Sequence, residues 1–98
     1  MKPLTKIQAG DYMKFLSHWD LAKNSKKISR IILFKDFVTA MAFVGKIAKI
    51  AQREGHHPDI AISYNKVTLD LWTHSIGGLS ENDFIVAAKI NEALVSMK

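Results

Sequence analysis

The chain has 98 residues, 48% of them hydrophobic and nine aromatic, with no cysteine and a formal net charge of +5. That length gives one domain, residues 1–98, with a single core and a large wetted surface, and the composition argues against disorder. The lack of thiols excludes disulfides, thiolate zinc centres and cysteine nucleophiles. No apolar run nears the roughly 18 residues of a spanning helix, and no n-region plus h-region opens the chain, so a cytoplasmic protein without a membrane partner is expected.

In chain order, residues 1–16 give a weak helix. Thr5 can cap it and Leu4, Ile7, Phe15 and Leu16 can line it, but Gly10 and Asp11 interrupt its middle. A short strand follows over 18–22, with turn chemistry at Asn24-Ser25. Residues 27–34 are rich in β-branched side chains and predict a second strand, covered on one or both faces, that pairs with the first as a hairpin. Lys23, Lys26, Lys27 and Arg30 cluster around this turn. Neither interleaved aromatics nor a recognition-helix pattern accompanies them, so a solvated loop is expected and a nucleic-acid partner is not.

Asp36 is an N-cap for a long helix. Phe37, Ala40, Met41, Val44, Ile47, Ala48 and Ala51 fall at helical spacing along it, and Val38, Ala42, Phe43 and Ile50 widen the apolar surface. A helix apolar on more than one side suggests a second subunit. Gly45 in mid-helix suggests a backbone passing close by. Gly55 stands where a left-handed C-terminal residue belongs, and Pro58 prevents continuation. Residues 59–64 and 67–74 each alternate with period two, and Asn65-Lys66 between them predicts a second hairpin. Gly77-Gly78 closes it. Ser80, with Asp83 three residues on, opens a last helix with Val86, Ala87, Ile90, Leu94 and Met97 inward. The order is weak α-β-β-α-β-β-α, an α+β fold with a four-stranded antiparallel sheet and helices on one face.

Three of the four histidines, His56, His57 and His74, lie within 19 residues. Histidine is the side chain whose unperturbed ionisation falls near neutrality. The returning hairpin brings His74 toward the other two. On residues alone four readings stay open: surface or capping histidines, a zinc site, a metal-free acid/base site, and a binding site without chemistry. The carboxylates lack a recognisable metal-ligand spacing.

The run His56-His57-Pro58, five residues, Tyr64, nine residues, His74, eight residues, Asp83 resembles the signature of the pterin-4a-carbinolamine dehydratases. The flanks agree: Phe34-Lys35-Asp36-Phe37, Tyr64-Asn65-Lys66-Val67, Thr73-His74, Gly78-Leu79-Ser80, and Trp19 in the first strand. The resemblance covers about residues 17–95.

It implies a hydro-lyase that removes water from 4a-hydroxytetrahydropterin to give quinonoid dihydropterin, without metal or other cofactor, in pterin recycling for aromatic amino acid hydroxylases. It implies His56 and His74 as the acid/base pair, with His57 orienting the pterin or the leaving hydroxyl. Asp83, Asp59 and Thr73 are implied as polar substrate-binding residues, with Asp83 also able to hydrogen-bond an imidazole. Trp19 and Trp72 are expected in the core or at an interface, with stacking on the pterin as the other reading. Homodimers or homotetramers that pair sheet edges or long helices are implied. The alternative is a non-catalytic dimerisation or regulatory module of the same fold, as animal members also serve a homeodomain transcription factor. One departure stands out: the family often has a glutamate four positions before the first histidine, and here that residue is Gln52, which cannot carry charge.

Overall fold

A computed structural model describes residues 2–97, so both ends of the expected 1–98 domain lie outside the described residues. The elements are α1 (Lys6–Met13), β1 (Asp20–Leu21), β2 (Ile28–Leu33), α2 (Phe37–Glu54), β3 (Asp59–Ser63), β4 (Lys66–Leu71) and α3 (Glu81–Ser96). The sheet is antiparallel throughout, in the order β1-β2-β4-β3. The α+β order read from the sequence is the order found.

Period two assigns the two faces of the sheet. Ile28 and Ile32 of β2 and Val67, Leu69 and Leu71 of β4 are buried, in one cluster with Phe43 and Ile47 of α2 and Val86, Ala87 and Ile90 of α3. The opposite face is open: Ile31 and Leu33 are 64% and 71% exposed. β2 is therefore covered on one face only.

Helix α2 begins at Asp36, whose carboxylate accepts from the Thr39 N–H at 2.8 Å, and ends at Gly55 with φ 64°. Its buried residues are Ala40, Phe43, Ile47, Ile50 and Ala51. This rotates the stripe expected from spacing toward Phe43 and Ile50, leaving Phe37, Met41 and Ala48 exposed. The sheet takes the bulky Phe43 in preference to the small Ala48. At Gly45 an added Cβ would meet nothing within 4 Å, so among the described residues no close backbone approach accounts for this glycine.

Other boundaries differ too. In α1 the cap is Thr5 as expected, but Ile7 and Phe15 are exposed, and Ala9, Tyr12 and Met13 face the core instead. Tyr12 stacks on Phe84 of α3 with centroids 4.9 Å apart. β1 is shortened to two residues, because the chain turns at His18 (φ 70°) and Trp19 dives into the core. The second hairpin turns at Tyr64-Asn65, one residue early, with Tyr64 at φ 53°. Asn65 clamps this tip to the end of β2: its side-chain amide donates to the Phe34 carbonyl at 2.7 Å, and its own carbonyl accepts from the Phe34 N–H at 2.9 Å. The basic cluster disperses. Lys27 reaches Asp70 at 3.7 Å, while Arg30 turns inward to Asn91, where burial lowers its pKa from the ordinary value.

Candidate active site

β3 and β4 pair with Asp59 opposite Asp70. Continuing that register past the strand ends sets Trp72 beside His57 and brings His74 back toward Gly55. The strand pattern expected through His74 stops at Leu71. His74 lies instead in a 3-10 turn, His74–Ile76, held by a bridge between Thr73 and Gly78 and closed by Gly77 at φ 66°. At the other end, the left-handed Gly55 reverses the chain out of α2, and the His56 N–H donates back to the Ala51 carbonyl at 3.1 Å.

The result is an open pocket of about 390 Å³, lined by Gly55, His56, His57, Pro58, Asp59, Trp72, Thr73, His74 and Ser75. The three histidines, Asp59 and Thr73 thus share one cavity. Asp83 is close but not in its wall. It sits behind His56 at 0% exposure. Tyr64, though part of the signature, lies at the far tip of the hairpin and is exposed.

Each imidazole is held by a different partner. His56 Nε2–H donates to Asp83 Oδ1. The other oxygen of Asp83 accepts from the Thr73 hydroxyl and from the Ser80 N–H, both at 2.9 Å. With its single proton spent on Asp83, the Thr73 oxygen can only accept from Ser80 Oγ, at 2.7 Å. The buried carboxylate therefore has three donors, which is what its removal from water demands. It also caps α3, so the capping role and the imidazole contact coexist. His57 Nε2–H donates to the Gln52 amide oxygen at 2.7 Å. His74 is more loosely held: its ring stacks on Trp72 with centroids 3.9 Å apart and planes 24° from parallel, and its Nε2 lies 3.8 Å from Asp59 Oδ2.

The tautomers follow from these contacts. His56 and His57 each commit Nε2–H to an acceptor, leaving Nδ1 as the nitrogen able to exchange a proton. Among the described residues no group of three or more His, Asp or Glu side chains is arranged to hold a metal.

The two tryptophans part ways. Trp19 is a core residue, 4% exposed, and its indole N–H donates to Asn91 at 2.9 Å. Trp72, expected in the core or at an interface, lines the pocket. Its strand parity matches Thr68 and Asp70 on the open face, opposite to Val67, Leu69 and Leu71, and that signal could have placed it.

The chain is similar to known proteins in sequence and in fold. A pattern describing the family "Pterin 4 alpha carbinolamine dehydratase" matches residues 2–93. A putative pterin-4-alpha-carbinolamine dehydratase of Acidobacterium capsulatum is 48% identical, over 97% of this chain and 100% of its own. One from Nitrosomonas eutropha is 46% identical, over 96% and 82%. A mitochondrial pterin-4-alpha-carbinolamine dehydratase 2 of Arabidopsis thaliana is 43% identical; the match takes in 97% of this chain but only 52% of that protein. The crystal structure of a transcriptional coactivator/pterin dehydratase from Brucella melitensis superposes with TM-score 0.88 at 34% identity, covering 94% of this chain and 98% of that one. A pterin dehydratase-like RuBisCO assembly factor of the alpha-carboxysome, 18% identical with TM-score 0.66 over 76% of this chain and 87% of its own, shares the fold. The chain belongs to the pterin-4a-carbinolamine dehydratase family. Its activity class is that of a 4a-hydroxytetrahydrobiopterin dehydratase, a hydro-lyase.

Proposed function

We propose that the pocket removes water from 4a-hydroxytetrahydropterin by histidine general acid/base catalysis, and that the product re-enters pterin recycling for an aromatic amino acid hydroxylase. The observation that carries this reading is the convergence of three imidazoles on one pocket, each with its own restraining partner.

Hydroxide is a poor leaving group, so the 4a-oxygen must receive a proton as its bond to carbon breaks. The electrons come from a ring nitrogen that loses its own proton. One imidazolium and one neutral imidazole supply both transfers near neutral pH. His56 and His74 are the pair, and His57 orients the pterin or the departing hydroxyl. Asp59 and Thr73 offer polar edges to the substrate. The reaction is redox-neutral, so its chemistry calls for no electron carrier.

Asp83 supports catalysis from behind. By accepting from His56 Nε2–H it fixes the ring's orientation and turns Nδ1 toward exchange, as a carboxylate does for the histidine of a hydrolase triad.

A cytoplasmic homodimer or homotetramer completes the proposal. Val38 and Met41 of α2 and Ile31 and Leu33 on the open sheet face expose apolar surface suited to another subunit. Sedimentation showing a stable monomer at micromolar concentration would count against it. No helix among the described residues is long and apolar enough to cross a membrane. The catalytic proposal is tested with purified protein and synthetic 4a-hydroxytetrahydropterin. Acceleration of dehydration over buffer supports it, and a rate equal to buffer leaves only a binding or regulatory module of the same fold.

A further inference from the structure

A general acid or base must sit within hydrogen-bond reach of the proton it transfers, in one orientation. His56 and His57 meet this through hydrogen bonds to Asp83 and Gln52. His74 does not. Its side chain is 58% exposed, and its Nε2 lies 3.8 Å from Asp59 Oδ2, beyond hydrogen-bond range. A half-exposed imidazole with no hydrogen bond would distribute over its rotamers.

What remains is the stack on Trp72. The ring centroids are 3.9 Å apart and the planes nearly parallel. Stacking between aromatic rings is favourable enough to prefer one rotamer several-fold. The indole is itself tied: its N–H donates to Asp59 Oδ2 at 3.3 Å, on the strand paired with β4. Asp59, Trp72 and His74 line the same pocket.

On the reading of His74 as a catalytic histidine, we propose that Trp72 is its positioning residue: the indole, pinned by Asp59, holds the imidazole in the pocket by stacking. The indole face that meets the imidazole is covered and does not serve as a platform for the flat pterin.

Two measurements test this. In the wild type, side-chain NMR should show the His74 ring protons shifted upfield by the indole ring current relative to those of the exposed His18, with the signals assigned by their loss in His74→Gln. The shift should vanish in Trp72→Ala. In kinetics, Trp72→Ala should lower kcat on the order of 10-fold with KM within about twofold, because misplacing a reacting group by ångströms is costly. Trp72→Phe, which restores a stacking face, should recover most of kcat. Unshifted His74 protons in the wild type overturn the proposal, as does a raised KM at unchanged kcat, which makes Trp72 a substrate platform. Equal loss in Trp72→Phe and Trp72→Ala also overturns it. A wild type that shows the ring-current shift but no dehydration instead refutes the dehydratase reading, and the catalytic role of the stack with it.

Discussion

The carboxylate of Asp83, with no exposed surface, accepts a hydrogen bond from His56 Nε2, the imidazole at the mouth of α2's C-terminus. The two residues are 27 positions apart: His56 follows the C-cap of α2, and Asp83 lies in the first turn of α3. One buried group therefore fixes an imidazole, the Thr73 hydroxyl and the start of α3 together.

Asp83→Ala should accordingly damage fold and site at once. It leaves the His56 and Ser80 N–H groups and the Thr73 hydroxyl without their acceptor. The expected loss is about 3 kcal/mol or more, since each buried donor left unsatisfied costs about 1–3 kcal/mol. Denaturant unfolding measures it. Asp83→Asn keeps the shape and one acceptor oxygen, so it should unfold at higher denaturant than Asp83→Ala while still losing activity. Two variants of equal stability would contradict the shared role.

Gly55→Ala tests how the helix exit places the histidines. Gly55 is at φ 64°, and an added Cβ would meet nothing within 4 Å. The cost is therefore backbone strain alone, about 1 kcal/mol. A two-state melt should show that loss. Activity should fall further than stability does, because His56 and His57 follow directly.

At the other end of α2, the Asp36 pKa is lowered from 3.8, chiefly by the side-chain hydrogen bond with Thr39 and then by the Thr39 backbone N–H. A depressed folded-state pKa contributes stability that is fully present above the unfolded value and is lost as pH falls through the folded one. Asp36→Ala should thus have a lower Tm than the wild type at pH 7. The gap should narrow only below about pH 4. A Tm difference independent of pH down to strong acid would contradict the capping account.

Gln52 holds His57 through an uncharged acceptor at 2.7 Å. Gln52→Ala frees the ring and should lower kcat/KM by roughly 5-fold, a modest case of lost orientation. Gln52→Glu keeps an acceptor at the same place and restores the carboxylate common at this position in the family the sequence resembles. Its kcat/KM should equal or exceed that of the wild type. A kcat/KM in Gln52→Ala equal to wild type would remove His57's support from the mechanism.

Much of this architecture is legible in the sequence: burial follows period two in 67–71, and the caps Asp36, Gly55 and Ser80 stand where the patterns put them, whereas β3, which also alternates, ends at Ser63 with all five of its residues exposed. What escapes is decided by tertiary contact. The buried face of α2 depends on which of several apolar residues the sheet accepts, and Phe43 wins over Ala48. In α1, Ile7 and Phe15 suit a helix face in isolation, yet the core takes Ala9 and Tyr12 because Phe84 waits there. At the site, His56, His57 and His74 could be brought together from the hairpin's return. The partners of each ring could not, since Gln52 and His57 meet across a helix end, and Thr73, His74 and Trp72 across a turn that ends the strand early. The resemblance named Asp83. Only the fold sets it behind His56 and outside the pocket wall.

The most direct test of the three-histidine site is the dehydration rate of synthetic 4a-hydroxytetrahydropterin catalysed by wild type, His56→Ala, His57→Ala and His74→Ala under identical conditions. Acid/base catalysis by this pair predicts losses on the order of 100-fold or more for His56→Ala and His74→Ala, the scale of a lost general acid or base, and a smaller loss for His57→Ala. Wild-type rates retained in both His56→Ala and His74→Ala would contradict it.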